Sequence, residues 1–139
     1  MRKYMKTQFN ASLDNVTLAR SVAACFLLEQ NLTVAVLNEV KTIISEAVTN
    51  AIVHGYQCDN ESLVSMLLEL EDDILRITVE DKGVGIDDVT QARTPLFSTK
   101  LQEERAGLGF TIMEVFSDEM SVNSELNEGT TVFCVKRIG

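Results

Sequence analysis

Apolar residues recur at intervals of three and four in two stretches of the N-terminal part of the chain, which is the spacing of amphipathic helices. Ser12 or Asp14 is a suitable N-cap for the first predicted helix, which extends to about Gln30. The second and longer predicted helix covers about 34–53, and Gly55 follows as its C-cap. The pattern therefore places two helices ahead of most of the strands.

Runs of strand-forming residues occupy much of the remaining chain. Four of these strands form two pairs, each joined by a short polar turn, and predict two hairpins. A third helix is predicted from Gly109 to about Asp118, after an irregular segment at 81–106 that is long enough to be a functional lid. The predicted strands are Lys6–Ala11, Leu63–Leu70, Ile74–Glu80, Ser121–Leu126 and Thr130–Lys136.

Helices that precede most of the strands, together with two antiparallel hairpins, predict an α+β fold. We expect a two-layer sandwich in which one mixed, mainly antiparallel sheet is covered on one face by about three helices. The 139 residues have the length of one ordinary domain, and they contain no internal repeat and no linker. The expected organisation is a single domain over 1–139.

The composition argues against several classes of function. A net charge of −9 disfavours a nucleic-acid or anionic-membrane surface, because those partners need clustered Lys and Arg. The sequence has no apolar run of about 18 residues, and its charged N-terminus lacks the apolar stretch of a signal peptide. The three cysteines are widely spaced without a Cys-x-x-Cys pair, which fits reduced thiols in a cytoplasmic protein better than a zinc site.

Glu46, Asn50 and His54 follow one another at one-turn intervals on the second predicted helix, at the rim of its apolar face. The amide oxygen of Asn50 is a suitable ligand for Mg²⁺, which takes hard oxygen ligands and keeps several waters. Glu46 could orient or deprotonate a nucleophile directed at a phosphate. Taken alone, the pair is more simply the polar edge of a helix, and His54, near the helix C-terminus, is expected to be structural.

Three glycine-containing segments follow in order. Asp81-x-Gly83-x-Gly85 comes directly after a strand, Gly107-Leu108-Gly109-Phe110 opens the third predicted helix, and Gly129-Thr130-Thr131 lies in a hairpin turn. Glycine lets backbone approach a ligand closely, and N–H groups at a helix N-terminus bind phosphate. Each segment alone is a common turn, but their order indicates a nucleotide site.

In this order the segments resemble the nucleotide-binding boxes of the ATPase superfamily shared by gyrase, the Hsp90 chaperones, the histidine kinases and MutL, over about 36–135. The resemblance implies a Bergerat-type fold that binds ATP or ADP with Mg²⁺. It makes Asn50 the Mg²⁺ ligand and Glu46 the candidate general base. Asp81 would accept the exocyclic amine of adenine, with Thr130 nearby. The other nucleotide-binding residues that it implies are Gly83, Gly85, Gly107, Leu108 and Gly109.

The irregular segment also carries candidate phosphate contacts. Lys100 or Arg105 could reach a γ-phosphate and stabilise developing charge. Arg105 is the better candidate because it lies just before the second glycine segment, although each residue could also be a solvated charge. Thr99, beside Lys100, is a further candidate nucleotide-binding residue.

Three local sequences narrow the resemblance to one branch of the superfamily. Residues 46–56, 95–100 and 107–114 are similar to the stand-alone serine kinases that act as bacterial anti-sigma factors. The whole chain resembles the anti-sigma F factor family of endospore-forming bacteria more than the related stress-response anti-sigma factors. A histidine kinase would need a helical dimerisation domain with a phosphoacceptor histidine, and gyrase or MutL would need a transducer domain. We expect neither domain within these 139 residues, so these branches are disfavoured.

The resemblance implies a cytoplasmic homodimer that holds a sporulation sigma factor of the sigma F type away from RNA polymerase. It also implies phosphorylation of an anti-anti-sigma protein on serine, with Glu46 activating the hydroxyl. Arg20, on the first helix, is either a partner contact or a solvated charge. The alternatives are a related stress-response anti-sigma kinase, a non-catalytic module that only sequesters sigma factor, and a histidine-kinase module that labels His54.

Overall fold

Three α-helices and five strands make up the part of the chain that the structure describes. In this computed structural model the described residues are 2–57, 59–86, 89, 93 and 101–139, with the backbone alone for 101–107. In chain order the elements are β1 (Arg2–Asn10), α1 (Asp14–Phe26), α2 (Val34–Asn50), β2 (Leu63–Glu71), β3 (Ile74–Asp81), α3 (Leu101–Phe116), β4 (Glu119–Glu125) and β5 (Gly129–Arg137). None of these helices is long and apolar enough to cross a membrane.

The strands form one sheet in the order β1-β2-β3-β5-β4. All four of its pairings are antiparallel, so the sheet is simpler than the mixed sheet expected, and the α+β sandwich itself is confirmed. The β3–β5 register sets Asp81 directly opposite Thr130. Residues paired in this way have side chains on the same face of the sheet. The register therefore brings together two of the candidate site residues.

The helices lie on one face of the sheet, with α2 between α1 and α3. Thr33 begins α2 as its N-cap, because its hydroxyl accepts a hydrogen bond from the N–H of Val36 at 3.1 Å. The apolar side of α2 is buried, from Val40 to Ile52, as the spacing predicted. The helix closes with a π-helical turn, Ala51–Gly55, which ends at the expected glycine.

The first strand is longer than the alternation predicted. It pairs with β2 along its whole length, from Arg2 opposite Glu71 to Asn10 opposite Leu63. Most of its side chains are exposed, and Phe9 alone among its described side chains is buried. An edge strand held mainly by backbone hydrogen bonds has little apolar alternation to mark it. That is why the charged N-terminal residues gave no strand signal.

The third helix begins eight residues earlier than the sequence indicated, at Leu101 instead of Gly109. Residues 101–106 read Leu-Gln-Glu-Glu-Arg-Ala, all of which are good helix formers. Their propensity extends the helix toward the N-terminus past the glycines. Gly107 and Gly109 therefore lie inside α3 and do not open it, which corrects the prediction.

Lys136 on β5 connects the sheet with α2 and with the end of α3. Its side chain is buried, and its Nζ donates to Glu39 Oε2 and to the carbonyl oxygen of Phe116, both at 2.7 Å. Glu39 lies on α2, and Phe116 is the last residue of α3. A cation at the C-terminal carbonyls of a helix also complements its dipole. The lysine thus fixes the end of α3 against α2 and the sheet.

We predict that Lys136→Met lowers the free energy of unfolding by about 1–3 kcal/mol, because a buried carbonyl and the Glu39 carboxylate lose their donor. Arg2→Met is the matched control, since the Arg2–Glu69 pair at 3.0 Å is largely exposed on the arginine side. An exposed pair contributes at most about 1 kcal/mol. Urea denaturation of the three proteins makes the comparison, and equal losses in the two variants would contradict the anchoring role.

Candidate functional site

Glu46 and Asn50 on α2, and His54 in the turn that follows it, line a cleft between α2 and α3. The cleft has a volume of about 330 Å³. It brings together four of the predicted site residues, which are Glu46, Asn50, Leu108 and Gly109. His54 also lines it, so this side chain is closer to the site than its structural interpretation suggested. Three lining residues were not predicted: Thr49, Val53 and Ile112.

Gly109 lies directly over the carboxylate of Glu46. A Cβ built at position 109 would be 3.0 Å from Glu46 Oε2, which is too close for an ordinary contact. Glycine inside a helix is unfavourable by about 0.5–1 kcal/mol relative to alanine. Here the missing side chain lets α3 cross α2 at the point where the carboxylate lies. Glu46 is half-buried as a result, and this desolvation raises the pKa of its carboxyl.

Asn50 carries an acceptor without a partner. The side chain is buried, and its Oδ1 has no hydrogen-bond partner among the described residues. A buried acceptor left unpaired costs about 1–3 kcal/mol. A hard cation would satisfy this neutral oxygen without cancelling the charge of the cation, and one protein ligand is enough for Mg²⁺ when water and phosphate supply the others. The donor set at this position therefore fits the ion that the sequence suggested.

Asp81 ends β3 as a nearly fully buried carboxylate, only 4% exposed. Burial raises its pKa to about 6, and hydrogen bonds from the backbone N–H groups of Gly83 and Thr130 oppose this rise. The Gly83 N–H donates to Oδ1 at 2.9 Å. The carboxylate is therefore held in one orientation by backbone donors from the loop after β3 and from the start of β5. Its two oxygens remain acceptors when it is ionised.

The loop after Asp81 packs against the end of α2 through two glycines. A Cβ on Gly55 would lie 2.5 Å from the carboxyl carbon of Asp81, and a Cβ on Gly83 would overlap the carbonyl group of Gly55. The N–H of Val84 donates to the same carbonyl oxygen at 2.9 Å. Glycine is thus required at 83 by the backbone of Gly55 and at 55 by the buried Asp81 carboxyl. The idea that Gly83 and Gly85 approach a base stays a prediction.

Two hydroxyl groups that the sequence analysis missed hold this loop in place. Tyr56 donates to the carbonyl oxygen of Leu63 at 2.7 Å and accepts from the N–H of Lys82 at 2.6 Å. Ser124 on β4 accepts from the N–H of Ile86 at 2.7 Å. Tyr56 follows the helix C-cap glycine and could have been noticed for that reason. Ser124 lies in an ordinary strand pattern and gave no signal.

The remaining candidates fall into three groups. Thr130 is buried opposite Asp81, as predicted. Arg20 is exposed on α1, away from the cleft. Thr99 lies outside the described residues, and Arg105 is described only as backbone in α3.

The phosphate-binding helix N-terminus expected at the second glycine segment is not formed in this structure. Beyond the first turn of an α-helix, each N–H bonds to the carbonyl four residues earlier. Gly107 and Gly109 lie beyond the first turn of α3, which begins at Leu101. Their N–H groups are therefore committed within the helix, and the expectation is corrected.

Comparison with known proteins agrees with this geometry. The model of the histidine kinase-like ATPase domain family matches residues 9–136. A crystal structure of a Mycobacterium tuberculosis protein with RsbU and RsbW domains has the same fold, with a TM-score of 0.71 at 20% identity over 98% of this chain and 32% of that one. A blue-light activated histidine kinase from Erythrobacter litoralis gives 0.58 at 22% identity, over 78% of this chain and 32% of that one.

Full-length relatives are closer in sequence. The anti-sigma F factor of Geobacillus kaustophilus is 50% identical over 99% of this chain and 94% of its own length. The anti-sigma F factor of Geobacillus stearothermophilus is 50% identical over 98% and 93%. That of Bacillus licheniformis is 45% identical over 99% and 94%. The chain therefore belongs to the anti-sigma F factor family, within the histidine kinase-like ATPase domain family.

Proposed function

We propose that this protein is an anti-sigma factor that binds and inhibits a sporulation sigma factor of the sigma F type and phosphorylates its anti-anti-sigma antagonist on serine, with ATP as the phosphoryl donor. The observation that carries the kinase is the cleft in which a half-buried Glu46 lies one helical turn from the unpartnered Oδ1 of Asn50. The family membership carries the choice of partners.

Glu46 is suited to act as the general base. Desolvation raises the pKa of its carboxyl, which makes its ionised form a stronger base than an exposed glutamate. In the proposed reaction the carboxylate accepts the hydroxyl proton of the substrate serine. The serine oxygen bonds to the γ-phosphorus as the bond to the departing ADP breaks. The glycine at 109 leaves the side of the carboxylate next to α3 free of a side chain.

Asn50 would hold Mg²⁺ through Oδ1. When bound, the ion would neutralise negative charge on the phosphate groups. Asp81 and Thr130 would receive the adenine at the other end of the site, where β3 and β5 meet. The two ends of the site are connected through Gly55, which closes α2 and also contacts the Asp81 carboxyl.

We further propose that the protein is a cytoplasmic homodimer. The buried positions of β2, β3 and β5 alternate with half-exposed ones on the face opposite the helices, and these include Leu67, Phe133 and Val135. Among the described strands, β1 pairs only with β2, so its outer edge is open to a second chain.

Arg20 on α1 is proposed as a contact for the sigma factor or its antagonist. The free thiols of Cys25 and Cys134 are compatible with a reducing compartment.

We predict that Glu46→Gln abolishes phosphoryl transfer while ATP still binds. The amide keeps the shape of the side chain but cannot accept the serine proton, so the rate should fall by about a hundredfold or more. The measurement is transfer of ³²P from γ-labelled ATP to a serine of a purified anti-anti-sigma protein. Glu29→Gln is the control, because Glu29 is an exposed glutamate outside the cleft.

The same assay separates the alternatives. Sigma-factor binding that depends on nucleotide, without any transfer by the wild type, would reduce the protein to a sequestering module. An acid-labile label on His54 of the protein itself would instead indicate a histidine-kinase module. Normal transfer by Glu46→Gln would remove the base role from this residue.

We predict that Asn50→Ala removes the dependence of ATP affinity on Mg²⁺, because the variant lacks the one oxygen proposed to bind the ion. Calorimetric titration with ATP in Mg²⁺ and in EDTA gives the two affinities for each protein. Asn38→Ala is the matched control, since Asn38 is an exposed asparagine on the same helix. An Asn50→Ala protein that keeps the full Mg²⁺ effect would contradict the assignment.

Asp81→Asn should lose ATP binding and yet gain stability. The pKa of Asp81 is raised to about 6, against an ordinary value of 3.8. The neutral carboxyl therefore contributes fully to stability below about pH 4, and this contribution is lost as the pH rises through 6. Ionisation of the buried carboxyl costs up to about 3 kcal/mol at pH 7.5. The variant is therefore expected to exceed the wild type in unfolding free energy at pH 7.5 and to match it near pH 4.

Urea denaturation at several pH values, beside ATP titrations, tests this prediction. Glu29→Gln, at an exposed carboxylate outside the cleft, is the control and should change neither quantity. Loss of ATP binding together with a loss of stability at pH 7.5 would show instead that Asp81 is mainly structural.

A further inference from the structure

Ser124 is the centre of a hydrogen-bond cluster beside the buried Asp81–Thr130 pair. Its Oγ lies 2.7 Å from the N–H nitrogen of Ile86, 3.0 Å from the carbonyl oxygen of Gly129 and 2.8 Å from Oγ1 of Thr130. Ile86 lies in the loop after Asp81, and Gly129 and Thr130 are the first two residues of β5. Ser124 thus connects this loop with the start of β5 at the proposed adenine end of the site.

Only one arrangement of hydrogens makes all three contacts hydrogen bonds. A serine hydroxyl has one hydrogen to donate and two lone pairs to accept with. The Ile86 N–H can only donate, and the Gly129 carbonyl can only accept. The Ser124 hydroxyl therefore donates to the carbonyl oxygen of Gly129, and the Thr130 hydroxyl must donate to Oγ of Ser124. The opposite direction would leave two oxygens 3.0 Å apart with no hydrogen between them.

The consequence concerns the polarity of Thr130. Its single hydroxyl hydrogen is committed to Ser124, so its remaining capacity is as an acceptor. Asp81 lies directly opposite on β3 with its side chain on the same face of the sheet, and an ionised carboxylate is also an acceptor only. Two neighbouring side chains then offer acceptors and no donor. Such a pair favours a ligand edge with N–H groups and disfavours a carbonyl oxygen.

We propose that Ser124 is a specificity-determining positioning residue, which fixes Thr130 as a hydrogen-bond acceptor and thereby selects a 6-amino purine over a 6-oxo purine. The inference rests on the proposed binding of ATP at Asp81 and deepens it. Ser124 acts through Thr130. Without the Ser124 hydroxyl, the Thr130 hydrogen can turn toward the ligand and donate to a carbonyl oxygen.

The test is the ratio of the affinities for ATP and inosine triphosphate, which carries a carbonyl oxygen in place of the amine. Both are measured by competition against a fluorescent ADP analogue. The ratio should fall by about tenfold in Ser124→Ala, the effect of one hydrogen bond of misplaced polarity. Ser124→Thr keeps the hydroxyl and should restore the ratio. Ser121→Ala, at an exposed serine of the same strand, should leave it unchanged.

A double-mutant cycle shows whether Ser124 acts through Thr130. Thr130→Val should lower the ratio to a similar extent, and adding Ser124→Ala should lower it no further. If Ser124→Ala lowers the affinities for both nucleotides equally, Ser124 has a merely structural role, and the inference is overturned. If that variant does not fold, Thr130→Val alone decides, and an unchanged ratio overturns it. A wild type that binds neither triphosphate removes the proposed function itself.

Discussion

The buried carboxylate of Asp81 is the constraint on which the rest of the site depends. A carboxylate with 4% of its surface exposed carries a large desolvation penalty, which is visible in its raised pKa. The chain compensates with backbone donors from Gly83 and Thr130. To bring these donors close, the loop after Asp81 must pack against the end of α2 with almost no side chains between them. Glycine at 55 and 83 follows from that requirement.

The second helix then carries a further cost for function. Its buried face packs the core well, yet its rim holds a desolvated Glu46 and an Asn50 oxygen that has no partner in the described part of the chain. Such groups lower stability in the absence of a ligand. The structure keeps them in place through rigid neighbours. Thr33 caps the start of α2, and Lys136 anchors Glu39 and the end of α3, so that α3 remains over the cleft.

Local patterns were enough to predict much of this structure, because they report burial directly. The two hairpins and the apolar face of α2 follow from alternation and helical spacing. That Thr130 lies beside Asp81 was implied by the family resemblance, and the register of β3 and β5 brings the two together. The start of α3 was misplaced because glycine was taken as a helix boundary, whereas the preceding helix formers continue through it. Ser124 could not be found, since its role depends on a contact with a residue 38 positions away. Tyr56 had only its place after the C-cap glycine to mark it, because its own contact lies 26 positions away.

The charge distribution of the cleft explains why a metal ion belongs in the proposal. No lysine or arginine among the described residues lines the cleft, whereas Glu46 does and the whole chain carries a net charge of −9. A triphosphate with several negative charges would be repelled by such a surface. A divalent cation held by the neutral oxygen of Asn50 would reverse the sign of the local field without adding another protein charge. The same cation would lower the energetic cost of keeping Glu46 ionised at the half-buried position where a base is needed.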